Sequence, residues 1–167
     1  MNRKIRDAIP TDLPAIVEIY NASIPGRMAT ADLEPVSVES RQTWFTMHSP
    51  ERDRPIWILE IEDKIAGWLS FQSFYGRPAY HQTVELSIYV SPSYQGQGIG
   101  QDLLKRAIVH SPQLGITSLL AFIFAHNLPS LKLFAKYDFQ QWGYLPGIAQ
   151  LDGKTRDLVI LGRKVES

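Results

Sequence analysis

The sequence predicts a mixed α/β fold built around one sheet. Apolar residues alternate with polar ones in several runs, as in strands, and recur three and four residues apart in others, as in helices. Residues 116–125 are almost continuously apolar, which is typical of a central strand covered on both faces. In chain order, the runs predict the elements β-α-α-β-β-β-α-β-α-β-β.

The first half of the chain supplies the first five of these elements. The run 11–24 begins with a threonine or aspartate cap, allows Pro14 in its first turn and spaces its apolar residues helically. Ser37 is a candidate cap for a second helix, and two strand-like runs meet at Asp63–Lys64, which predicts a hairpin. The predicted elements are a strand at 4–9, helices at 11–24 and 37–49, and strands at 55–63 and 64–74.

The second half begins with a strand at 83–90 whose two faces differ. Its even-numbered residues are apolar and point to one face, while Glu85, Ser87 and Tyr89 point to the other. Turn signals and apolar spacing predict the remaining elements. These are a helix from Gly98 to His110, the central strand at 116–125, a helix at 128–139, and closing strands at 139–145 and 155–165.

The composition excludes several functional classes. Seventeen basic residues balance seventeen acidic ones, so no overall field favours nucleic acid or an anionic membrane as partner. The chain has no cysteine, which excludes a disulfide scaffold, a thiolate metal site and a cysteine nucleophile. The four histidines lack metal-ligand spacing, so we expect no metal. Without an apolar signal core or a run of about 18 apolar residues, we expect a soluble cytoplasmic protein.

A glycine-rich run separates the strand at 83–90 from the helix that follows it. Gly96, Gly98 and Gly100 stand at every second position, at the opening turn of the helix. Bare backbone at a helix N-terminus lets main-chain N–H groups bind an anion, and a glycine-rich turn without a ligand is the alternative. No acidic residue follows near position 120, so the run is not a dinucleotide-binding fingerprint, and it does not match a P-loop.

The spacing Gln95-x-x-Gly98-x-Gly100 resembles the acetyl-coenzyme A (acetyl-CoA) loop of the Gcn5-related N-acetyltransferase (GNAT) superfamily. The resemblance covers nearly the whole chain. The segments DLEP and RPAYHQTVELSIYV are most similar to phosphinothricin and methionine sulfone or sulfoximine acetyltransferases. The resemblance implies one N-acetyltransferase domain over 1–167, with a mixed, mostly antiparallel sheet that is splayed at the cofactor site and flanked by about four helices. It also implies a homodimer.

The resemblance further implies that main-chain groups bind acetyl-CoA. Loop N–H groups and the helix dipole would hold the pyrophosphate without a lysine. The strand before the loop would pair with the pantetheine amides, and residues after the next strand would line the other side. The residues assigned to the cofactor are Ile88, Tyr89, Val90, Gln95, Gly96, Gln97, Gly98, Ile99, Gly100, Gln101, Asn127 and Ser130.

Glu85 is the candidate general base. It lies between apolar residues in an interior strand, where burial raises the pKa of a carboxylate toward the range useful for deprotonating an amine. It matches the glutamate that has this role in the resembling branch, and a structural ion pair with Arg77 or another cation is the alternative. Arg77 and Tyr80 match positions that contact the acidic groups of the substrate in that branch, a solvated loop arginine being the alternative for Arg77.

The predicted activity is acetyl-CoA-dependent N-acetylation of a small amine, by direct transfer in a ternary complex. The resemblance implies an amino acid or analogue such as phosphinothricin or methionine sulfone or sulfoximine. Phe134 departs from the family pattern, because it stands where the superfamily often has tyrosine and this branch often histidine. Since phenylalanine cannot donate a proton, a non-catalytic acyl-CoA-binding or sensor domain stays an alternative. A second alternative is an acetyltransferase for protein N-termini or lysines.

Overall fold

The computed structural model describes residues 2–166, and its seven strands form one sheet in the order β1-β2-β3-β4-β5-β7-β6. No helix in the described part of the chain is long and apolar enough to cross a membrane. The strands are β1 (Arg3–Asp7), β2 (Ile56–Ile61), β3 (Lys64–Ser73), β4 (Thr83–Val90), β5 (Ser118–Phe124), β6 (Gln140–Leu151) and β7 (Lys154–Lys164). The α-helices are α1 (Leu13–Ala22), α2 (Gln42–Met47), α3 (Ile99–His110) and α4 (Leu128–Lys136).

The order of strands and helices confirms the sequence prediction. The hairpin between β2 and β3 turns at Glu62 and Asp63, which both have positive φ. The second helix is shorter than predicted, because a 3-10 turn at Glu39–Arg41 precedes α2. Ser37 lies one residue before the N-cap of this turn, Val38, and its Oγ accepts the main-chain N–H of Ser40 at 3.1 Å. The strand β6 continues six residues beyond its predicted end, whereas β7 is shifted by one residue from its predicted limits. The pairing of the two strands continues past two irregularities in register.

The side chain of Asp12 does not cap α1 as the sequence predicts. Asp12 stands at the cap position, but its side chain accepts no hydrogen bond from the helix. Its carboxylate instead accepts two hydrogen bonds from the guanidinium of Arg6, at 2.7 and 2.9 Å, and one from the N–H of Ile9 at 2.8 Å. This bidentate pair joins β1 to the beginning of α1.

Helices cover both faces of the sheet. The main hydrophobic core lies beneath α3 and α4 and includes the even-numbered residues of β4. A second cluster, which includes Trp68, lies beneath α1 and α2. Glu85, Ser87 and Tyr89 face this second side, so the alternation predicted for β4 is confirmed. The strand β4 therefore presents its polar residues to the layer formed by α1 and α2.

The strands β4 and β5 form the one parallel pair of the described sheet, and this pair is short. Its register runs only from Thr83 opposite Ser118 to Glu85 opposite Leu120, although both strands continue well beyond these residues. After Glu85 the strands diverge, and a gap opens between them. The splayed, mostly antiparallel sheet implied by the resemblance is therefore confirmed.

A close approach of α3 to β3 seats the glycine-rich loop against the sheet. A Cβ added to Gly67 would lie 2.9 Å from Cγ2 of Ile99, the first residue of α3, and 2.9 Å from the main-chain oxygen of Tyr89. The oxygen belongs to a hydrogen-bonded strand and cannot shift freely. Only glycine at this position lets the N-terminus of α3 pack so closely on the sheet.

We expect Gly67→Ala to lower the free energy of unfolding by about 1–3 kcal/mol, because the added methyl overpacks the contact between α3 and β3. Chemical denaturation followed by circular dichroism measures the change. Gly26→Ala is the matched control: a Cβ there would meet only the Ser23 carbonyl oxygen, at 3.9 Å. A Gly67→Ala protein as stable as the Gly26→Ala protein would show that α3 does not depend on this close approach.

Candidate active site

The run 95–101 forms an open loop at the N-terminus of α3. Gly96 and Gly98 have φ angles of +75° and +77°, the left-handed conformation that favours glycine. Gly98 is the N-cap, and its carbonyl accepts the N–H of Asp102 at 3.0 Å. The N–H groups of residues 99–101 precede that bond and lack helical partners. A Cβ on Gly96 would meet no described atom within 4 Å, so the loop is open at the positive end of a helix, a position suited to bind an anion.

Arg3 of β1 fastens this loop to the first turn of α3. Its Nη1 donates to Oδ2 of Asp102 at 2.6 Å, and its Nη2 donates to the carbonyl oxygen of Gln97 at 2.5 Å. A Cβ on Gly98 would lie 3.9 Å from the same guanidinium. Arg3 therefore holds the Gln97 carbonyl and places a positive charge beside the loop.

Main-chain alternation decides which groups of β4 face the gap between β4 and β5. The N–H of Ser91 donates to the carbonyl of Ala66 at 2.8 Å, so the odd-numbered residues of β4 pair with β3. The even-numbered residues, among them Ile88 and Val90, direct their N–H and C=O groups toward the gap. Tyr89 is a correction: its main chain pairs with β3, and only its side chain reaches the candidate site.

The other predicted cofactor residues border the same gap. The side-chain amide of Gln95 donates to the carbonyl of Val90 at 3.1 Å. Asn127 caps α4, its Oδ1 accepting the N–H of Ser130 at 3.3 Å, and its Nδ2 donates to the carbonyl of Met28 at 3.1 Å. Asn127 thus has a structural role that the sequence did not predict, and the contact of Asn127 or Ser130 with a cofactor stays a prediction.

A pocket of about 190 Å³ opens on the face of the sheet opposite α3. Aromatic side chains form much of its wall, and Glu85, Ser87 and Arg41 supply polar groups. The aromatic residues are Tyr20 of α1, Trp44 of α2, Trp68 of β3 and Tyr89 of β4. The pocket lies on one face of the sheet, and the helix α3 that carries the glycine-rich loop packs on the other.

Glu85 lies in this pocket as a half-buried carboxylate. Burial raises its pKa above the ordinary value for glutamate. No residue among 2–166 forms an ion pair with it, so the alternative of a structural pair with Arg77 is wrong. A carboxylate with a raised pKa, without a cationic partner and open to a pocket, is suited to accept a proton.

The structure does not bring Arg77 and Tyr80 to the Glu85 pocket of the same chain. They line a second hollow of about 440 Å³, together with Arg54 and His81. Arg54 is buried there, and its guanidinium donates to Ser73 Oγ and to the carbonyl of His81, at 2.8 and 2.6 Å. The substrate contacts predicted for Arg77 and Tyr80 therefore lack support from the geometry of one chain.

Sequence reasoning missed the side chains that cover the pocket. Tyr20 donates its hydroxyl hydrogen to the carboxylate of Asp32, and an Nη of Arg41 donates to the same carboxylate at 3.2 Å. These residues come from α1, from an irregular segment and from a 3-10 turn, and no local pattern signals that they meet. Trp44 and Trp68 also line the pocket, and Trp68 belongs at the same time to the second hydrophobic cluster.

Comparison with known proteins agrees with this geometry. The family model described as "Acetyltransferase (GNAT) family" matches residues 13–139. The chain belongs to the GNAT family. It is 52% identical over 162 residues to "Putative phosphinothricin acetyltransferase YwnH" of Bacillus subtilis (strain 168), covering 96% of this chain and 98% of the relative.

Two further relatives of this GNAT chain bear on the site. An "L-methionine sulfoximine/L-methionine sulfone acetyltransferase" of Pseudomonas paraeruginosa (strain DSM 24068 / PA7) is 29% identical, covering 96% of this chain and 94% of the relative. The crystal structure of a GNAT superfamily phosphinothricin acetyltransferase from Sinorhizobium meliloti, in complex with acetyl-CoA, has a TM-score of 0.92 at 28% identity. That alignment covers 99% of this chain and 89% of the other. The predicted family and fold are confirmed.

Phe134 of this GNAT chain is a core residue. Its side chain is 5% exposed, and its ring packs edge to face against Phe139 with centroids 4.9 Å apart. No group of three or more histidine, aspartate or glutamate side chains within residues 2–166 is arranged to hold a metal ion.

We expect Gly98→Val to abolish acetyl-CoA binding, because the side chain would strain the positive φ of the N-cap and crowd the anion-binding surface beside Arg3. Isothermal titration calorimetry measures the binding. Gly115→Val is the matched control, since Gly115 has a φ of +74° and equally open surroundings but lies beyond the opposite end of α3. If the Gly98→Val protein is folded and binds acetyl-CoA with the same affinity as the Gly115→Val protein, the loop is not the acetyl-CoA site.

Proposed function

We propose that this protein is an acetyl-CoA-dependent N-acetyltransferase that acetylates the amino group of a small molecule. An amino acid or analogue, such as phosphinothricin or methionine sulfone or sulfoximine, is the proposed acceptor. The observation that carries the proposal is the gap between β4 and β5, which joins an open anion-binding loop to a pocket with an unpaired carboxylate. The relatives named for these acceptors support it.

The residues present fit acetyl-CoA, which supplies an acetyl group activated as a thioester. The N–H groups of residues 99–101 would hold the pyrophosphate at the N-terminus of α3. The main-chain groups of Ile88 and Val90 that face the gap would pair with the pantetheine amides. This arrangement directs an elongated molecule from the loop, through the gap, to the pocket on the other face.

Glu85 would prepare the amine for attack. An amine is protonated at neutral pH and cannot attack a carbonyl until it loses that proton. The carboxylate of Glu85 would accept the proton, directly or through a water molecule. The main-chain N–H of Ile88 faces the gap and would donate to the carbonyl oxygen on which negative charge develops. The chain has no cysteine, and direct transfer needs no covalent intermediate on the protein.

We expect Glu85→Gln to lower turnover about 10²–10⁴-fold while acetyl-CoA binding is retained, because the amide cannot accept a proton. The wild-type rate should fall as the pH decreases through the raised pKa of Glu85, and the deficit of the variant should shrink at high pH, where more amine is already deprotonated. Thiol release from acetyl-CoA measures both. Glu18→Gln, on the exposed side of α1, is the control. Wild-type turnover by Glu85→Gln at pH 7 would assign the base elsewhere.

The same substitution should stabilise the fold at neutral pH. Because burial raises the folded-state pKa of Glu85, the free energy of unfolding decreases as the pH rises from the unfolded-state pKa to this raised pKa, and the full penalty of the charged carboxylate is present above it. Glutamine carries no such penalty. In thermal melts, the melting temperature of Glu85→Gln should exceed that of the wild type at pH 7. The two melting temperatures should be equal below the unfolded-state pKa of glutamate, about 4.3. A variant that is less stable at pH 7 would show that Glu85 has a stabilising partner in solution.

The leaving thiolate would depart without a dedicated proton donor on α4. Phe134 is buried, and the nearby hydroxyl of Tyr137 belongs to a ring packed against the main core. A thiol with a pKa near the cysteine value of about 8.5 is a competent leaving group as its anion. Tyr137→Phe should therefore change turnover less than about tenfold. Loss of more than about a hundredfold, with normal acetyl-CoA binding, would identify Tyr137 as the acid.

One assay separates the proposed function from its alternatives. Thiol release is measured with a panel of amino acids, polyamines and peptides. Turnover of amino acids supports the proposal, turnover of peptides alone would indicate a protein acetyltransferase, and binding of acetyl-CoA without turnover of any amine would indicate a sensor domain. The single domain, the homodimer and the cytoplasmic location stay predictions from the sequence.

A further inference from the structure

Arg41 brings a positive charge into the pocket that contains Glu85. Among the described residues it is the one cation that lines this pocket. Arg41 ends the 3-10 turn before α2, whereas Glu85 projects from β4. The cation therefore comes from the layer that covers the pocket, and the carboxylate comes from the sheet beneath it. Their charges are matched to a small molecule that carries a cationic amine and a separate anionic group.

Aromatic contacts fix the orientation of the Arg41 guanidinium. It lies 5.0 Å from the centroid of the Tyr20 ring and 5.9 Å from that of Trp44. Both rings also line the pocket. A guanidinium held over two rings keeps its planar set of N–H donors in one orientation, which is the geometry that binds a carboxylate through two parallel hydrogen bonds.

The charge of Arg41 is only partly compensated. Its described partner is Asp32, at an Nη–Oδ2 distance of 3.2 Å, with 28% and 43% of the two side chains exposed. The carboxylate of Asp32 also accepts the hydroxyl hydrogen of Tyr20, so Asp32 is shared between two donors. A guanidinium has five N–H groups, and this contact uses one of them. The remaining donors leave Arg41 able to bind a second anion.

We propose that Arg41 binds the anionic group of the acceptor and restricts the enzyme to amines that carry a carboxylate or a similarly charged oxyanion. This inference rests on the proposed function and names its substrate class. The pocket volume of about 190 Å³ lies below the roughly 300–1,000 Å³ of sites for drug-sized ligands, which suits an acceptor of amino-acid size. In this arrangement Glu85 accepts the proton of the acceptor's amino group, and Arg41 binds the acceptor's acidic group.

The test compares an acid with its uncharged counterpart. Thiol release gives kcat/KM for methionine sulfone and for other amino acids without a second anionic group, and for the carboxamide of each. The wild type should prefer the acids. Arg41→Gln should lower kcat/KM for the acids about 10- to 150-fold, the worth of a hydrogen bond to a charged group, and change that for the carboxamides less than about threefold. Arg41→Lys should recover part of the loss, since it restores charge without the two-pronged donor geometry.

The ratio of kcat/KM for the acid to kcat/KM for its carboxamide shows whether Arg41 binds the acidic group or only supports the fold. If Arg41 only braced Tyr20 and Asp32, the acid and the carboxamide would lose activity equally, and the ratio would not move. Arg52→Gln, an exposed arginine in the turn after α2, controls for loss of surface charge and should keep the wild-type ratio. Arg77→Gln tests the competing assignment, in which Arg77, which lines the second hollow, binds the anionic group of the acceptor.

The outcomes are distinguishable. A ratio that collapses in Arg41→Gln and persists in Arg77→Gln supports the proposal. A ratio that persists in Arg41→Gln, or that collapses only in Arg77→Gln, overturns it and leaves the N-acetyltransferase function standing. A wild-type protein that binds acetyl-CoA and acetylates peptides or simple amines but no acid also overturns it. A wild-type protein that acetylates no amine overturns the proposed function itself.

Discussion

The divergence of β4 from β5 is the constraint on which the rest of the site depends. A continuous ladder would pair the main-chain groups of residues 86–90 with β5, and the sheet would be closed. Because the register ends at Glu85, the even-numbered residues keep N–H and C=O groups directed into a gap. The strand β5 stays in the sheet because β7 pairs with it along its whole length. One interruption therefore supplies hydrogen-bonding groups and also connects the loop at α3 with the pocket on the other face.

The irregular segment between α1 and α2 crosses this gap on the pocket side. The carbonyls of residues 27–29 accept hydrogen bonds from His126 Nε2, Asn127 Nδ2 and the Tyr89 hydroxyl, at 2.9, 3.1 and 3.3 Å. These donors come from both sides of the gap, since Tyr89 belongs to β4 and the other two follow β5. Burial raises the pKa of Tyr89, which keeps its hydroxyl protonated as a donor. The segment is thereby held where it encloses the pocket and places Asp32 next to Arg41.

Some charged groups removed from solvent have hydrogen-bonding partners in the protein, and one does not. The carboxylate of Asp12 is paired with Arg6 in a bidentate contact, and the guanidinium of Arg54 donates to neutral oxygens in the second hollow. Both arrangements satisfy the charge and tie separate elements together. Glu85 is half-buried and has no ion-pair partner among the described residues, and its raised pKa is the consequence of this partial burial. A charge left unpaired in a pocket lowers stability, and such positions are characteristic of sites that bind or react.

The sequence by itself determined the order of elements, the two faces of β4, the glycine-rich loop at α3, the family and the candidate base. Each of these is a local pattern: a period of two, a period of 3.6, or a spacing within a few residues. It did not reveal that Tyr89 reaches the site only with its side chain, which lines the pocket, since that depends on which strand pairs with its main chain. Nor did it reveal the group formed by Tyr20, Asp32 and Arg41, or the separation of Arg77 from the Glu85 pocket. Contacts between residues distant in sequence depend on how the irregular segments cross the sheet. The periodic spacing of apolar residues does not predict the course of these segments.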